Sequence, residues 1–395
     1  MEDFVHLHVH TNYSILDGQS KVTRLVDKAI ADGMKGMAIT DHGVMFGIKE
    51  FSDYCAKINK ERKAKGEEPF KPIFGCEMYV ARRSMHDKEK DKHDNSGYHL
   101  IVLAKNYNGY KNLIKLVSHA WVDGYYYKPR TDREELEKYH EDLIVCSACI
   151  AGEVPNKIIR GDIEGAREAC EWYHRVFGDD YYLELQRHEV KDPTLVANRE
   201  AYPLQQKANK VLMQFAKEYG VKLVCTNDCH FEDKETAEAH DHLLCLSTNE
   251  DLDDPKRMRY SKQEWFKTRQ EMNEVFSDVP EAMANTLEIL DKIETYSIDH
   301  GPIMPFFPIP ESFGTEEEWE KKFTEADLYK EFTTDENGLN PLSEEEGKKV
   351  IARLGGYEKI YRIKFEADYL AKLAYDGAKK LYGDPLSEEV KEHIR

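Results

Sequence analysis

Positive charge is what this chain most lacks. Its 395 residues hold 56 Lys and Arg against 75 Asp and Glu, a formal charge of -19. Duplex-binding surfaces are strongly basic, so this balance excludes a nucleic-acid footprint spread over the whole surface. It leaves phosphate chemistry open, because bound cations can dominate a local field. No run approaches the roughly 18 apolar residues that signal a membrane-spanning helix. The opening MEDFVHLHVH has no apolar core of the kind a secretory leader needs, and the expected compartment is the cytoplasm. Eight cysteines are too few for a disulfide scaffold and are expected as reduced thiols. Cys146 with Cys149, and Cys225 with Cys229, have spacings that would suit a four-cysteine zinc site. Cys146 and Cys225 lie inside apolar strand-like runs, however, and are read as buried core thiols. Walker A loops, GxSxG elbows and GxGxxG fingerprints are missing as well.

What is present is alternation of strand-like and helix-like runs. Seven short β-rich runs occur in order: Phe4–Val9, Gly36–Thr40, Pro72–Ala81, Tyr98–Ala104, Asp142–Ala148, Tyr181–Gln186 and Lys222–Asn227. Most are almost continuously apolar, as strands covered on both faces should be. Helical periodicity fills the spaces at Val22–Asp32, Tyr107–His119, Ile163–Phe177 and Leu195–Tyr219. Repeated strand–helix units predict parallel strands with right-handed crossovers, in an open sheet or a closed barrel. Polar residues at the strand ends favour the barrel, which gathers them on one face. The expected fold class is α/β, an irregular seven-stranded (β/α) barrel over residues 1–285. GPIMPFFPIP (Gly301–Pro310), with four prolines in ten residues, predicts an extended linker within 286–312. Phe313–Val350 carries twelve acidic residues against five basic ones, and helical periodicity returns over Ile360–Leu381. Residues 313–395 are therefore expected to be mainly helical, the start of a further domain that the chain does not complete.

The polar residues carry the chemistry. His6, His8 and His10 alternate in HLHVH, and a strand's period of two sends their rings to one face. TDH (Thr40–His42) follows the second run and NDCH (Asn227–His230) the seventh. The candidate ligands are His8, His10, Asp17, His42, Glu77, His99, Cys149, Asp228 and His230. Singly, each has a bland alternative: a satisfied core histidine, or an acid that caps a helix. As a set, imidazole, carboxylate and thiolate suit zinc, manganese or iron. Nine donors exceed the four of one tetrahedral zinc and suffice for two or three metals if a carboxylate such as Glu77 bridges. Metals about 3.5–4 Å apart suit phosphoester hydrolysis and make a side-chain nucleophile unnecessary. In GYYYKPR (Gly124–Arg130), aromatics stand beside basic residues, which suits a base on a ring and a phosphate on a cation. Tyr127, Lys128 and Arg130 are the substrate-binding candidates; buried rings with solvated charges are the alternative.

HLHVHTNYSILDG, AITDHG, GCEMYV, YHLIVLAKNYNGYKNL, GYYYKPRTD, SACIAGE and TNDCHF, in that order and spacing, resemble the PHP (polymerase and histidinol phosphatase) domain. The resemblance is to the form that opens the alpha subunit of bacterial DNA polymerase III. It extends to LDDPKRMRYS and PEAMANTLEIL, covers roughly residues 3–310, and fades to a loose likeness to the approach to the polymerase palm. It implies a trinuclear centre of zinc, manganese or iron held by the nine residues above. His8, His10, Glu77, Asp228 and His230 would be its catalytic heart, with His6 and Asp41 outside the ligand set. It also implies a DNA-directed DNA polymerase in the longer protein, with the nucleotide-binding segment and catalytic aspartates beyond Arg395. The piece in hand would be a metal-dependent phosphoesterase, a 3′–5′ exonuclease on single-stranded DNA. Implied partners are DNA, the rest of the alpha chain, a proofreading exonuclease subunit and other holoenzyme subunits, with no membrane. Two other functions compete: a metal-stabilised scaffold that docks the proofreading subunit, and a small-molecule phosphatase of the histidinol-phosphatase kind.

Overall fold

Apolar runs with little polar interruption form the strands β1 (Gly36–Ile39), β2 (Lys71–Ala81), β3 (Gly97–Ala104), β4 (Arg130–Thr131), β5 (Leu143–Cys146), β6 (Tyr181–Leu185) and β7 (Lys222–Cys225). They pair in the order β1-β2-β3-β5-β6-β7, with β4 attached to β2. The computed structural model describes residues 2–15, 17–303, 305, 307–334 and 341–394.

The first apolar run, Phe4–Val9, is extended without a regular ladder, yet it closes the ring. On one side the Ala38 amide donates to His6 O (2.8 Å) and the Thr40 amide to Val9 O (2.8 Å). On the other, the His10 amide donates to Cys229 O (2.7 Å) and the Cys229 amide to His8 O (3.1 Å). The histidine-bearing run therefore sits between β1 and the tail of β7, and the sheet is curled on itself.

One strand departs from expectation. β3 runs antiparallel to both β2 and β5, whereas the other main-path pairs are parallel. The cause lies in the connection. Arg82–Ser96 supplies no crossover helix, only the short 3-10 turn Lys90–Lys92, and a connection without a crossover returns the chain antiparallel. The reversal has a functional consequence. His99 stands at the start of its strand, which is the same rim on which its neighbours end.

Helices Val22–Ala31, Ile48–Ala64, Tyr107–Val122, Ile163–Phe177, Ala201–Tyr219 and Pro280–Lys292 cover the sheet and share one continuous apolar core with it. The helix expected from Leu195 starts at Ala201, because Asp192 accepts from the Thr194 amide (2.8 Å) in an Asp-Pro-Thr turn. The chain divides into two units, Met1–His300 and Gly301–Arg395. Helix Pro280–Lys292 belongs to the first: Asn285 Nδ2 donates to Leu223 O on β7 (2.7 Å). The barrel unit thus runs past residue 285. The proline-rich run falls in the second unit, where the Phe307 ring stacks on Tyr369. There the acidic surplus has a local use. Thr315 with Glu318, Thr324 with Asp327, and Ser343 with Glu346 form capping boxes that start successive helices.

Candidate metal centre

The rim where the ring closes collects every ligand candidate. His8 and His10 come from the closing run, His42 follows β1, and Glu77 lies within β2. His99 begins β3, Cys149 follows β5, and Asp228 and His230 follow β7. Three sets, two of them sharing His10, hold their donor atoms within 4.8 Å of one another: His10, His42 and His230; His8, His10 and Asp228; and Glu77, His99 and Cys149. Asp17 joins them with Oδ1 at 2.9 Å from His230 Nε2 and 3.2 Å from His42 Nε2.

Glu77 stands in the middle. Its Oε1 lies 3.3 Å from His8 Nε2 and 2.8 Å from His99 Nδ1. Its Oε2 lies 3.9 Å from His10 Nε2 and in close contact with His42 Nδ1. Glu77 Oε2 and His42 Nδ1 are both buried and meet each other without hydrogen-bond geometry. The His8 and His10 Nε2 atoms face each other at 3.1 Å, and Asp228 Oδ1 is 3.1 and 3.3 Å from them. Imidazole and carboxylate donor atoms converging over so short a span fit divalent cations.

Electrostatics differ from ligand to ligand. Burial lowers the His8, His42 and His230 imidazoles, but the neighbouring carboxylates outweigh it and hold all three above their ordinary range, so a cation would have to displace their protons. Burial and the neighbouring charges of His42 and His230 push the His10 imidazole down to about 3, leaving it neutral as a ligand must be. Burial alone would raise the Asp17 carboxyl, but His230 and His42 hold it well below its ordinary range. Burial, with Asp228 and Glu77 beside it, pushes the Cys149 thiol well up, so without a cation it keeps its proton. Two turns that deliver ligands carry left-handed non-glycine residues, Ala148 (φ 60°) and Asp228 (φ 48°). Such backbone is costly and collects at functional sites.

A supporting layer fixes the imidazoles. Glu184 Oε1 accepts from His8 Nδ1 (2.7 Å), Thr226 Oγ1 (2.5 Å) and Gln186 Nε2 (2.9 Å). His10 Nδ1 contacts Ser14 Oγ (3.0 Å), whose hydroxyl donates to Asp41 (2.8 Å). Asp41 also accepts from the Thr11 amide (2.7 Å), so it braces the loop that carries Asp17. Tyr260 donates to Asp17 Oδ2 (3.2 Å). His6 is turned to a different job: its Nε2 meets Lys267 O (2.8 Å) and its ring packs on Phe266. Glu184, Gln186 and Tyr260 were missed from sequence. The signal for Glu184 was an acid in the middle of the apolar run YYLELQ.

Two further expectations meet the structure. The four cysteines do not assemble. Cys146 and Cys225 are fully buried, Cys225 against the Met283 sulfur, and Cys229 lies by His6. Arg130, expected on a phosphate, must be corrected. Its side chain is wholly buried, with Nε donating to Gly124 O (3.1 Å) and Nη2 to Met85 O (2.8 Å). It pins the loop from inside. Lys128 reaches the rim, its Nζ 5.3 Å from the centre of the Tyr79 ring, which packs on His42 and His99. Tyr127 is 58% exposed and near Lys90.

Residues 6–188 match the PHP domain family. That stretch of the barrel is a PHP domain. Over a longer stretch, the chain is similar to DNA polymerase III subunit alpha of Borreliella burgdorferi, 40% identical over 336 residues, which is 84% of this chain and 27% of the relative. It is also similar to the subunit of that name from Treponema pallidum, 38% identical over 328 residues, or 82% of this chain and 26% of the relative. The chain thus spans about a quarter of the length of the curated relatives it matches. Among solved structures, a candidate metal-dependent phosphoesterase from Bifidobacterium adolescentis overlaps 58% of this chain and 88% of its own, at 14% identity and a TM-score of 0.34. A likeness that faint carries no argument, and the PHP assignment rests on the sequence match. No helix among the described residues is long and apolar enough to cross a membrane.

Proposed function

We propose that the PHP barrel is a metal-dependent phosphoesterase that removes nucleotides from the 3′ end of single-stranded DNA. It would act as the N-terminal part of a cytoplasmic DNA polymerase III alpha chain. Its partners would be the rest of that chain, a proofreading exonuclease subunit and other holoenzyme subunits. The observation that carries the reading is Glu77, a buried carboxylate embraced by His8, His10, His42 and His99. Such a carboxylate is placed to bridge cations, two or three of zinc, manganese or iron. His8, His10 and Asp228 would hold one, His42, His230 and Asp17 a second, and His99 with Cys149 a third beside Glu77. Bound cations of this kind supply hydroxide near neutral pH and neutralise phosphate oxygens.

The chain's own residues do the rest. Glu184 and Ser14 fix the tautomers of His8 and His10 by occupying their Nδ1 atoms. Tyr260, whose phenol burial pushes well up, keeps its proton beside Asp17. Lys128 stands at the rim to meet a backbone phosphate.

The test is direct. The protein loaded with manganese or zinc is incubated with 5′-labelled single-stranded DNA. Shortening from the 3′ end, abolished by a chelator and by His10→Ala, is the expected result. DNA left intact by fully metallated protein, or equal activity in His10→Ala, would make the centre a structural scaffold instead.

A further inference from the structure

A pair of exposed aromatic rings stands beside the metal centre, one on the Gly124–Arg130 loop and one on the helix before it. Trp121 and Tyr125 stack with centroids 5.5 Å apart and planes 15° from parallel. They are 44% and 48% exposed. Burying these rings against the protein would be the ordinary outcome; here two are kept in solvent and ordered face to face.

Their position is fixed by contacts at the centre itself. Trp121 Nε1 donates to Gly43 O (2.8 Å), and Gly43 directly follows the ligand candidate His42. The Gly43 amide donates to Glu77 O (2.8 Å). Gly43 has φ +62°, and a Cβ there would come within 2.7 Å of Pro129 Cγ and 3.3 Å of the Tyr79 ring. The loop 124–130 is thus seated on the His42 turn from both ends, by Trp121 and by Pro129. Buried Arg130 locks it below. Lys128 lies over the Tyr79 ring, which packs on the candidate ligands His42 and His99.

We propose that the Trp121–Tyr125 pair is a base-stacking subsite that holds a nucleotide of single-stranded DNA next to the metal centre, with Lys128 on the adjoining phosphate. This rests on the phosphoesterase reading for its catalytic purpose, but not for its binding chemistry. Rings accept any base, because every base has a π-face, so the subsite gives affinity for nucleic acid without sequence preference. It also supplies what the net charge of -19 withholds, a sequence-independent hold that does not rely on a basic surface. A small phosphomonoester without a base would gain nothing from it.

The experiment is fluorescence anisotropy of metal-loaded protein with labelled oligothymidylate of about eight nucleotides, a length one such surface could engage. Its linkages are phosphorothioate, so that it is not consumed. An abasic oligomer of equal length and charge is the control. The intact oligomer should bind at least about tenfold more tightly than the abasic one. Tyr125→Ala should erase most of that difference and leave abasic binding unchanged. Lys128→Ala should weaken both oligomers and flatten the salt dependence by about one phosphate contact. Trp121→Phe, which keeps a ring but loses the bond to Gly43, should fall between. Equal binding of intact and abasic oligomers, or no change in Tyr125→Ala, overturns the subsite. Protein that discriminates the oligomers yet never cleaves DNA would refute the phosphoesterase reading and leave the subsite standing. Cleavage that ignores Tyr125→Ala would do the reverse.

Discussion

Glu184→Gln probes the charge behind a candidate metal ligand, His8. All three of the carboxylate's hydrogen bonds fall on one oxygen, Oε1, which accepts from His8, Thr226 and Gln186. The other oxygen, Oε2, is buried with no partner. A glutamine can place its carbonyl where Oε1 stands and keep every bond, losing the negative charge and setting its amide N–H2 in the buried place of Oε2. Partners behind metal-bound histidines are worth about 10- to 100-fold in metal affinity, or about 1.4–2.7 kcal/mol. With geometry preserved, the lower end is expected, about tenfold. Glu184→Ala, which also strands the His8 N–H, should reach the upper end or exceed it. Protons oppose this loss. Burial lowers the His8 imidazole, but Asp228 and Glu184 outweigh it and hold His8 well above its ordinary range in the metal-free protein. Removing the Glu184 charge weakens that proton's grip and so its competition with the metal. The affinity deficit of Glu184→Gln should therefore widen as pH rises and the proton competes less. A chelator-competition titration of zinc across pH measures it. Equal affinities for parent and variant at every pH would refute the idea that Glu184 supports a ligand.

Three shorter predictions follow from burial and charge. Arg130→Ala should destabilise the barrel by about 3 kcal/mol in denaturant unfolding, because two buried carbonyls lose their donor and a cavity opens; a variant as stable as the parent would return Arg130 to a surface role. Metal binding near neutral pH should release a proton from Cys149, whose thiol burial holds up, so affinity should rise with pH and Cys149→Ser should release less when calorimetry is run in buffers of different ionisation enthalpy. Burial lowers the Lys267 ammonium to about 8 from its ordinary 10.5. The unfolded chain then binds more protons between those values, so stability should rise with pH across that window, and Lys267→Met should remove that rise.

The candidate ligands His8, His10, His42, Asp228 and His230 were legible because they arrive in short local signals. HxH, TDH and NDCH place donors at strand ends without reference to distant residues. The barrel was legible for a related reason, since donors spread over many strands must converge to be useful. The direction of β3 was not, because alternating and apolar patterns carry no arrow. Its reversal depends on a connection, Arg82–Ser96, that looks like any charged loop. Arg130 was misread for want of long-range information: a cation beside tyrosines suggests solvent, and only the carbonyls of Gly124 and Met85 reveal it as buried. Glu184 hid in a strand for the same reason, its role being set by His8 across the barrel. Trp121 lies just past the helix expected over Tyr107–His119, and its place beside Gly43 appears only when the loop is seated.

The claim on which the rest depends is that this rim holds a metal cluster. Anomalous diffraction from crystals of the metal-loaded protein, collected on both sides of the zinc and manganese edges, tests it most directly. The account predicts two or three peaks among His8, His10, Asp17, His42, Glu77, His99, Cys149, Asp228 and His230, with Glu77 touching more than one. An ordered rim with no anomalous peak, in protein saturated with metal, would contradict it.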